Sequence, residues 1–201
     1  MTERLYRSRL LMSAEQSVVL LVDAQDKLLE LVPDAKTLRW NLSRLIQGAQ
    51  VLGVPRLATE QYPEKLGPTS PALTAYFGDD ANRTASTRPI PAKLCFSCAG
   101  SELLVEQLVE LQRRQILLAG VETHVCVLQT ALDLVAAGYD VYLAADAVGA
   151  RYPIDHHTAL RRMELAGVTL LTTEAALFEW CEQAGTPQFK RISQIVRSEP
   201  E

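Results

Sequence analysis

The sequence predicts an α/β fold of three layers, αβα, with a doubly wound, mainly parallel sheet of six strands between helices. Three observations carry that expectation. Short apolar runs alternate with longer stretches of helical spacing, the pattern left by βαβ units. The runs are continuous rather than alternating, as in strands buried on both faces. The chain has 201 residues, 48% hydrophobic and 22% charged, which suits one domain, residues 1–201, with a sizeable core.

The elements follow in order. "SVVLLVDAQ" (Ser17–Gln25) is an apolar run ending in polar residues, hence strand one. "TLRWNLSRLIQGAQVLG" puts Leu38, Leu42, Leu45, Ile46 and Ala49 on one helical face, with Gly53 as a stop. "VPRLATE" resumes a strand. The connection from Gln61 to Arg88 is irregular, rich in Pro and Gly, and long enough to suggest a functional loop. "STRPIPAKLCF" holds a third strand limited by its prolines, and "SELLVEQLVELQRR" is an amphipathic helix capped by Ser101. "QILLAGV" is strand four and "THVCVLQTALDLVAAG" a helix apolar around nearly its whole circumference. "YDVYLAADAVG", "HHTALRRMELAG", "VTLLTT" and "EAALFEWCEQAG" then read as strand, helix, strand and helix.

Composition excludes several classes. The net charge of −4 mixes both signs, and the pairs Arg113-Arg114 and Arg161-Arg162 read as solvated helix surface, so no nucleic-acid partner is expected. No apolar run approaches the roughly 20 residues that cross a bilayer, so no membrane partner is expected either. "MTERLYRSRLLMS" lacks the apolar core of a signal peptide and reads as an untargeted arm in preference to a mitochondrial presequence, against which Glu3 and the short length count. Four cysteines (Cys95, Cys98, Cys126, Cys181) do not look like a disulfide framework, which fits a reducing, cytoplasmic setting.

Parallel sheets bind ligands beyond the carboxyl ends of their strands, where strand order reverses. Asp23 follows strand one, Lys93 follows strand three, and Cys126 follows strand four. Thr123 reads as an N-cap, which would place Cys126 in the first helical turn beside unpaired N–H groups that favour a thiolate. Blander readings stand beside each residue: Cys126 as a small buried apolar side chain, Asp23 as a helix cap for "AQDKLLELV", Lys93 as a solvated lysine. The conjunction of the three is what points to chemistry. Gln25, Gln61, Phe96 and Tyr152 are candidate pocket walls. Cys95-Phe96-Ser97-Cys98 is a single C-x-x-C, with small side chains near a pocket floor preferred to a redox or zinc site.

"LLVDAQDKL", "PAKLCFSC" and "LLAGVETHVCVLQTALDL" together resemble the isochorismatase-like cysteine hydrolases. The Asp…Lys…Cys order and the Gly-Val-x-Thr-x-x-Cys approach, Gly120 to Cys126, carry the resemblance most specifically. "TEQYPEKLGPT", "AADAVGAR" and "FKRISQIV" resemble its isochorismatase domain-containing subgroup, and the match runs from Ser17 to the C-terminus. The resemblance implies the isochorismatase-like hydrolase fold, with Cys126 as nucleophile, Asp23 as base, and Lys93 positioning Asp23 and stabilising negative charge. It further implies a cis peptide between Val121 and Glu122, and an oxyanion hole made of the backbone N–H groups of Glu122 and Cys126.

Nicotinamidase-type relatives hold a metal through an Asp-x-His element and a further His between strands two and three. Gln61–Arg88 contains no histidine; the three in the chain are His124, His156 and His157, the last two expected to be exposed at a helix start. His124 is either pocket lining or an ordinary first-turn residue. No catalytic metal and no other cofactor are therefore expected. The leading expectation is a metal-independent cysteine hydrolase that cleaves an amide-type C–N bond of a small-molecule substrate through a thioacyl intermediate. Members that cleave a vinyl ether need no nucleophilic cysteine, so Cys126 favours the amide. The alternatives are a catalytically silent scaffold or ligand-binding protein and a thiol redox protein using Cys95 and Cys98. A homo-oligomer is expected, both from the all-round apolar helix after Cys126 and from the assemblies such relatives form.

Overall fold

In the computed structural model, which describes residues 7–77 and 88–199, the chain folds as three layers. The strands are β1 (Ser17–Val22), β2 (Arg56–Ala58), β3 (Glu60–Gln61), β4 (Ala92–Lys93), β5 (Gln115–Val121), β6 (Asp140–Gly149) and β7 (Thr169–Leu171). The long helices are α2 (Ala35–Val51), α5 (Glu102–Leu111), α6 (Leu128–Ala136), α7 (Pro153–Leu165), α8 (Thr173–Cys181) and α9 (Pro187–Val196). Short helices α1 (Asp26–Leu29), α3 (Pro63–Leu66) and α4 (Pro71–Thr74) lie in connections.

The main sheet has the order β2-β1-β5-β6-β7, and every pairing is parallel. β1 and β5 are buried at every position because both of their faces carry apolar side chains. The period of two sorts those side chains. Val19, Leu21, Leu117, Ala119 and Val121 pack with Leu42, Leu45, Ile46, Leu177, Trp180 and Ile192 of α2, α8 and α9. Val18, Leu20, Ile116 and Leu118 pack on the other face with Leu104, Leu108, Leu128, Ala131, Leu134 and Met163 of α5, α6 and α7. Leu20 and Leu118 are register partners, both wholly buried; truncating either to Ala would cost about 2–5 kcal/mol.

The six strand-forming runs are present, but the third contributes little. "STRPIPAKLCF" begins at residue 86; of its described part, from Arg88 on, only Ala92 and Lys93 pair, with Glu60 and Gln61, in a two-stranded parallel ladder separate from the five-stranded sheet. Pro89 and Pro91 supply no N–H to a ladder, which limits the strand to its last residues. The described part of the Gln61–Arg88 connection is less irregular than its composition suggests: α3 and α4 each start on a proline, where the missing N–H costs nothing. The helix read from Thr123 onward is also two pieces, a π-helical turn over Thr123–Val127 closed by Val127 N–H to Glu122 C=O, followed by α6.

The chain crosses from β2 on one side of β1 to β5 on the other, so strand order reverses between β1 and β5. At that point the two backbones nearly touch. Gly120 has φ +120°, and a Cβ there would lie 2.0 Å from the Val22 carbonyl oxygen. Only glycine fits. The residues that follow Val22 and Gly120 therefore leave the sheet side by side.

Candidate active site

Asp23 emerges directly after β1, wholly buried and with φ +48°, a left-handed conformation uncommon outside glycine, asparagine and aspartate. It caps no helix. α1 begins after Gln25 without a side-chain cap, and both Asp23 oxygens are engaged elsewhere. Oδ2 accepts from Lys93 Nζ at 2.7 Å and Oδ1 accepts from Thr59 Oγ1 at 2.8 Å. Lys93 reaches it from the last position of β4, with 1% of its side chain exposed. The ammonium also donates to Gln61 Oε1 at 2.7 Å, Phe96 C=O at 2.9 Å and Cys95 C=O at 3.3 Å. Burial alone would push this ammonium down, but Asp23, with smaller contributions from Cys98 and Cys126, outweighs it and holds the Lys93 pKa above its ordinary value. The lysine is a buried cation with a full set of acceptors.

Cys126 arrives from the other side of the reversal, on the π turn, 5% exposed. Its sulfur lies 4.0 Å from Gln61 Oε1, and the Asp23 carboxylate is near enough for its charge to act on the thiol. Carboxylate, ammonium and thiol thus meet at one place, from three distant parts of the chain. The thiolate expected from the helix start does not hold at rest. Burial first, then the Asp23 charge, push the Cys126 pKa well up, and the opposing pull of Lys93 is smaller. The local cap differs as well: Thr123 Oγ1 is 3.0 Å from His156 Nδ1, and Glu122, without a side-chain cap, holds the N-cap position. The tertiary partner won over the local one. The peptide between Val121 and Glu122 is cis.

The candidate pocket residues separate. Gln61 belongs to the cluster, held by Lys93 on its oxygen and by Leu94 C=O on its nitrogen at 2.9 Å. Gln25 is wholly buried and its amide is spent on the backbone of Gln61 and Gly67, so it shapes the loop. Phe96 and Tyr152 are 52% and 59% exposed. Phe96 contributes its carbonyl to Lys93, and Tyr152 sits just before α7. His157 is exposed, whereas His156 is half-buried against Thr123.

Thr59 has no sequence signal of its own, a threonine after a three-residue strand. Yet its hydroxyl donates to Asp23, so its contact with Cys98 Sγ at 3.3 Å must be made as acceptor, from a protonated thiol. Burial pushes Cys98 up to about 11, which suits that role and disfavours nucleophilic use. Cys95 and Cys98 are both free, one exposed and one buried. Among the described residues no group of three or more His, Cys, Asp or Glu side chains could hold a metal, and no helix is long and apolar enough to cross a membrane.

A parallel three-layer fold with acid, ammonium and thiol gathered at its strand reversal defines the class as an isochorismatase-type hydrolase fold. The chain belongs to the isochorismatase family, whose Isochorismatase domain model matches residues 17–175. It is 37% identical to isochorismatase domain-containing protein 2A of Mus musculus over 91% of this chain and 84% of that one. Among solved structures it resembles the MAR1 ribonuclease of Caenorhabditis elegans (TM-score 0.84, 31% identity, 94% of each chain). It also resembles the YcaC gene product of Escherichia coli, an octameric hydrolase of unknown specificity (TM-score 0.83, 27% identity, 94% of this chain and 92% of that one).

Proposed function

We propose that this chain is a cysteine hydrolase that cleaves an amide-type C–N bond of a small molecule, with Cys126 as nucleophile, Asp23 as general base and Lys93 as the cation that positions Asp23 and stabilises negative charge. The observation that carries the reading is the buried Lys93–Asp23 pair at 2.7 Å, with the Cys126 thiol within the influence of the same carboxylate and 4.0 Å from Gln61, which Lys93 also holds. Stable fold alone does not call for it, since a buried ion pair is seldom more stabilising than a well-packed apolar replacement.

The steps follow from the contacts. The thiol proton passes to Asp23 as sulfur attacks the carbonyl carbon, so a thiol held protonated at rest becomes a nucleophile only in the encounter. Negative charge then develops on the carbonyl oxygen, to be met by the backbone N–H groups of Glu122 and Cys126. Collapse expels the amine, which takes the proton back from Asp23 and leaves a thioester. Water attacks the thioester while Asp23 accepts its proton, the acid departs, and Cys126 recovers the thiol. Lys93 remains paired throughout and stabilises each charged stage. No metal enters the scheme, because the chain offers no histidine between Gln61 and Arg88, where metal-binding relatives carry theirs.

Phe96, Tyr152 and Gln61 are the proposed walls of the substrate pocket, and Gln25 holds the backbone of Gln61. The octameric Escherichia coli relative supports a homo-oligomer here too, a proposal that sedimentation of only a monomer would sink. The test of function is a screen of purified protein against small amides and esters, with RNA included because of the Caenorhabditis elegans neighbour's name. An activity on amides that survives Cys126→Ala would end the mechanism. Hydrolysis absent from the whole panel, with slow, ordinary-thiol alkylation of Cys126 at neutral pH, would favour the scaffold or ligand-binding reading.

A further inference from the structure

The corner that carries Cys126 is laced to the start of α7 by three successive side chains. Glu122 Oε1 accepts from Arg151 Nε at 2.9 Å and from the Arg151 backbone N–H at 3.4 Å. Thr123 Oγ1 meets His156 Nδ1 at 3.0 Å, and His124 Nε2 lies 3.9 Å from Asp155 Oδ2. The first of these rungs has a charge problem attached. In the function proposed above, the Glu122 N–H faces the forming oxyanion, while the same residue carries a carboxylate that is only 11% exposed. A bare carboxylate there, poorly screened by water, would repel the charge that the N–H is meant to stabilise.

We propose that Arg151 is a positioning residue for the reaction at Cys126: it holds and neutralises the Glu122 side chain, so that the oxyanion forms beside a paired charge. The inference rests on Cys126 being the acyl-accepting nucleophile. Arg151 itself touches Glu122 and need not touch the substrate. Arg151 is half exposed and covers a carboxylate that is not, and the pair's place on the residue that supplies an oxyanion donor is what gives it a task.

Two probes separate this role from general loosening of the fold. p-Nitrophenyl acetate acylates a thiol: an S–C bond forms at the carbonyl, charge passes through its oxygen, the C–O bond breaks and p-nitrophenolate leaves. The thiol proton goes to Asp23 and on to solvent. Iodoacetamide alkylates the same sulfur: an S–C bond forms, C–I breaks and iodide leaves, with no charge on the carbonyl oxygen. The ratio of the initial acylation rate, read as the p-nitrophenolate release lost in Cys126→Ala, to the alkylation rate at Cys126, read by peptide mass spectrometry, isolates oxyanion stabilisation from thiol ionisation, and exposed Cys95, treated in the same way through Cys95→Ala, supplies the internal reference.

In the wild type the ratio at Cys126 should exceed that at Cys95. Arg151→Gln should lower the Cys126 ratio by about 10-fold, a modest share of what losing an oxyanion donor does, with the Cys95 ratio unchanged and the circular dichroism spectrum that of the folded wild type. Arg151→Lys, which keeps the charge, should retain most of the ratio. Glu122→Gln combined with Arg151→Gln, which leaves no stray carboxylate, should recover most of it. A wild-type ratio no higher than that of Cys95 would overturn the hydrolase reading and this inference together. A high wild-type ratio that Arg151→Gln leaves intact, or that stays low in the double variant, would overturn the role of Arg151 alone.

Discussion

Both ends of the sheet bury polar groups between β1 and β5, and they do so in different ways. At the amino end, Ser17 Oγ accepts from Trp180 Nε1 at 2.9 Å and donates to Gln115 Oε1 at 3.1 Å. Gln115 Oε1 also takes the Ser13 N–H, and Arg113 closes the carbonyls of Ala14 and Ser17 at 2.6 and 2.9 Å. These contacts tie chain segments together, and the uncharged side chains are occupied by one another. At the carboxyl end the buried groups are an acid, an ammonium and a thiol, and the thiol's polar neighbours are a carboxylate and the distant oxygen of Gln61. Buried polarity by itself marks only a well-satisfied structure. Ionisable groups able to exchange a proton mark a place for chemistry.

That contrast can be broken by experiment, most forcefully at the nucleophile. Cys126→Ala should lower amide turnover by about 10³-fold or more, while a circular dichroism melt stays close to wild type because the side chain is small. Residual turnover near the wild-type level would erase the distinction between the two ends. Lys93→Met strands the Asp23 carboxylate in the interior, and breaking a buried pair in this way costs about 3–5 kcal/mol. Urea unfolding would show it as a lower midpoint at unchanged slope; a wild-type midpoint would contradict the buried Lys93–Asp23 pair.

Alkaline pH should sharpen the comparison. Lys93, Cys98 and Cys126 all have pKa values raised in the folded state, so the fold binds more protons than the unfolded chain above the ordinary thiol and lysine range. Their contribution is fully present below that range, from about pH 8.5 for the thiols, and is lost as pH rises through the raised values. Unfolding free energy should therefore fall from about pH 8 upward. The fall should be shallower in Cys98→Ala, whose thiol sits at about 11 in the fold. A slope unaltered by that substitution would contradict the assignment. The smallest effect belongs to the amino end. Ser17→Ala leaves the Trp180 N–H unpartnered, costs about 1–3 kcal/mol, and should not change turnover per folded molecule.

Much of this was legible in the chain. Unbroken apolar runs announced strands with two covered faces, and a carboxylate at the end of the first run stood out because burying it alone would be costly. Gly120 was legible only as the opening of a motif, and its close approach to the Val22 carbonyl came from the fold. Thr59 was not legible, since a threonine after a strand is ordinary until its partner is known. Thr123 misled for the opposite reason: its local pattern fits an N-cap, but His156, 33 residues on, takes its hydroxyl. Phe96 and Tyr152, picked for their ring size, lie more than half exposed, because loop direction has no period to read.

The sequence by itself determined the alternation of strands and helices, which faces are apolar, and which three residues leave the strand ends. These are properties of neighbours along the chain and follow from side-chain periodicity and backbone sterics. Only the tertiary structure decided that Cys126 rests as a thiol, that Lys93 stays a cation in the interior, and that Thr59 and Gln61 complete their surroundings. Each of those depends on burial and on charges brought close from distant positions, and electrostatic free energy is set by distance and solvent access rather than by sequence order.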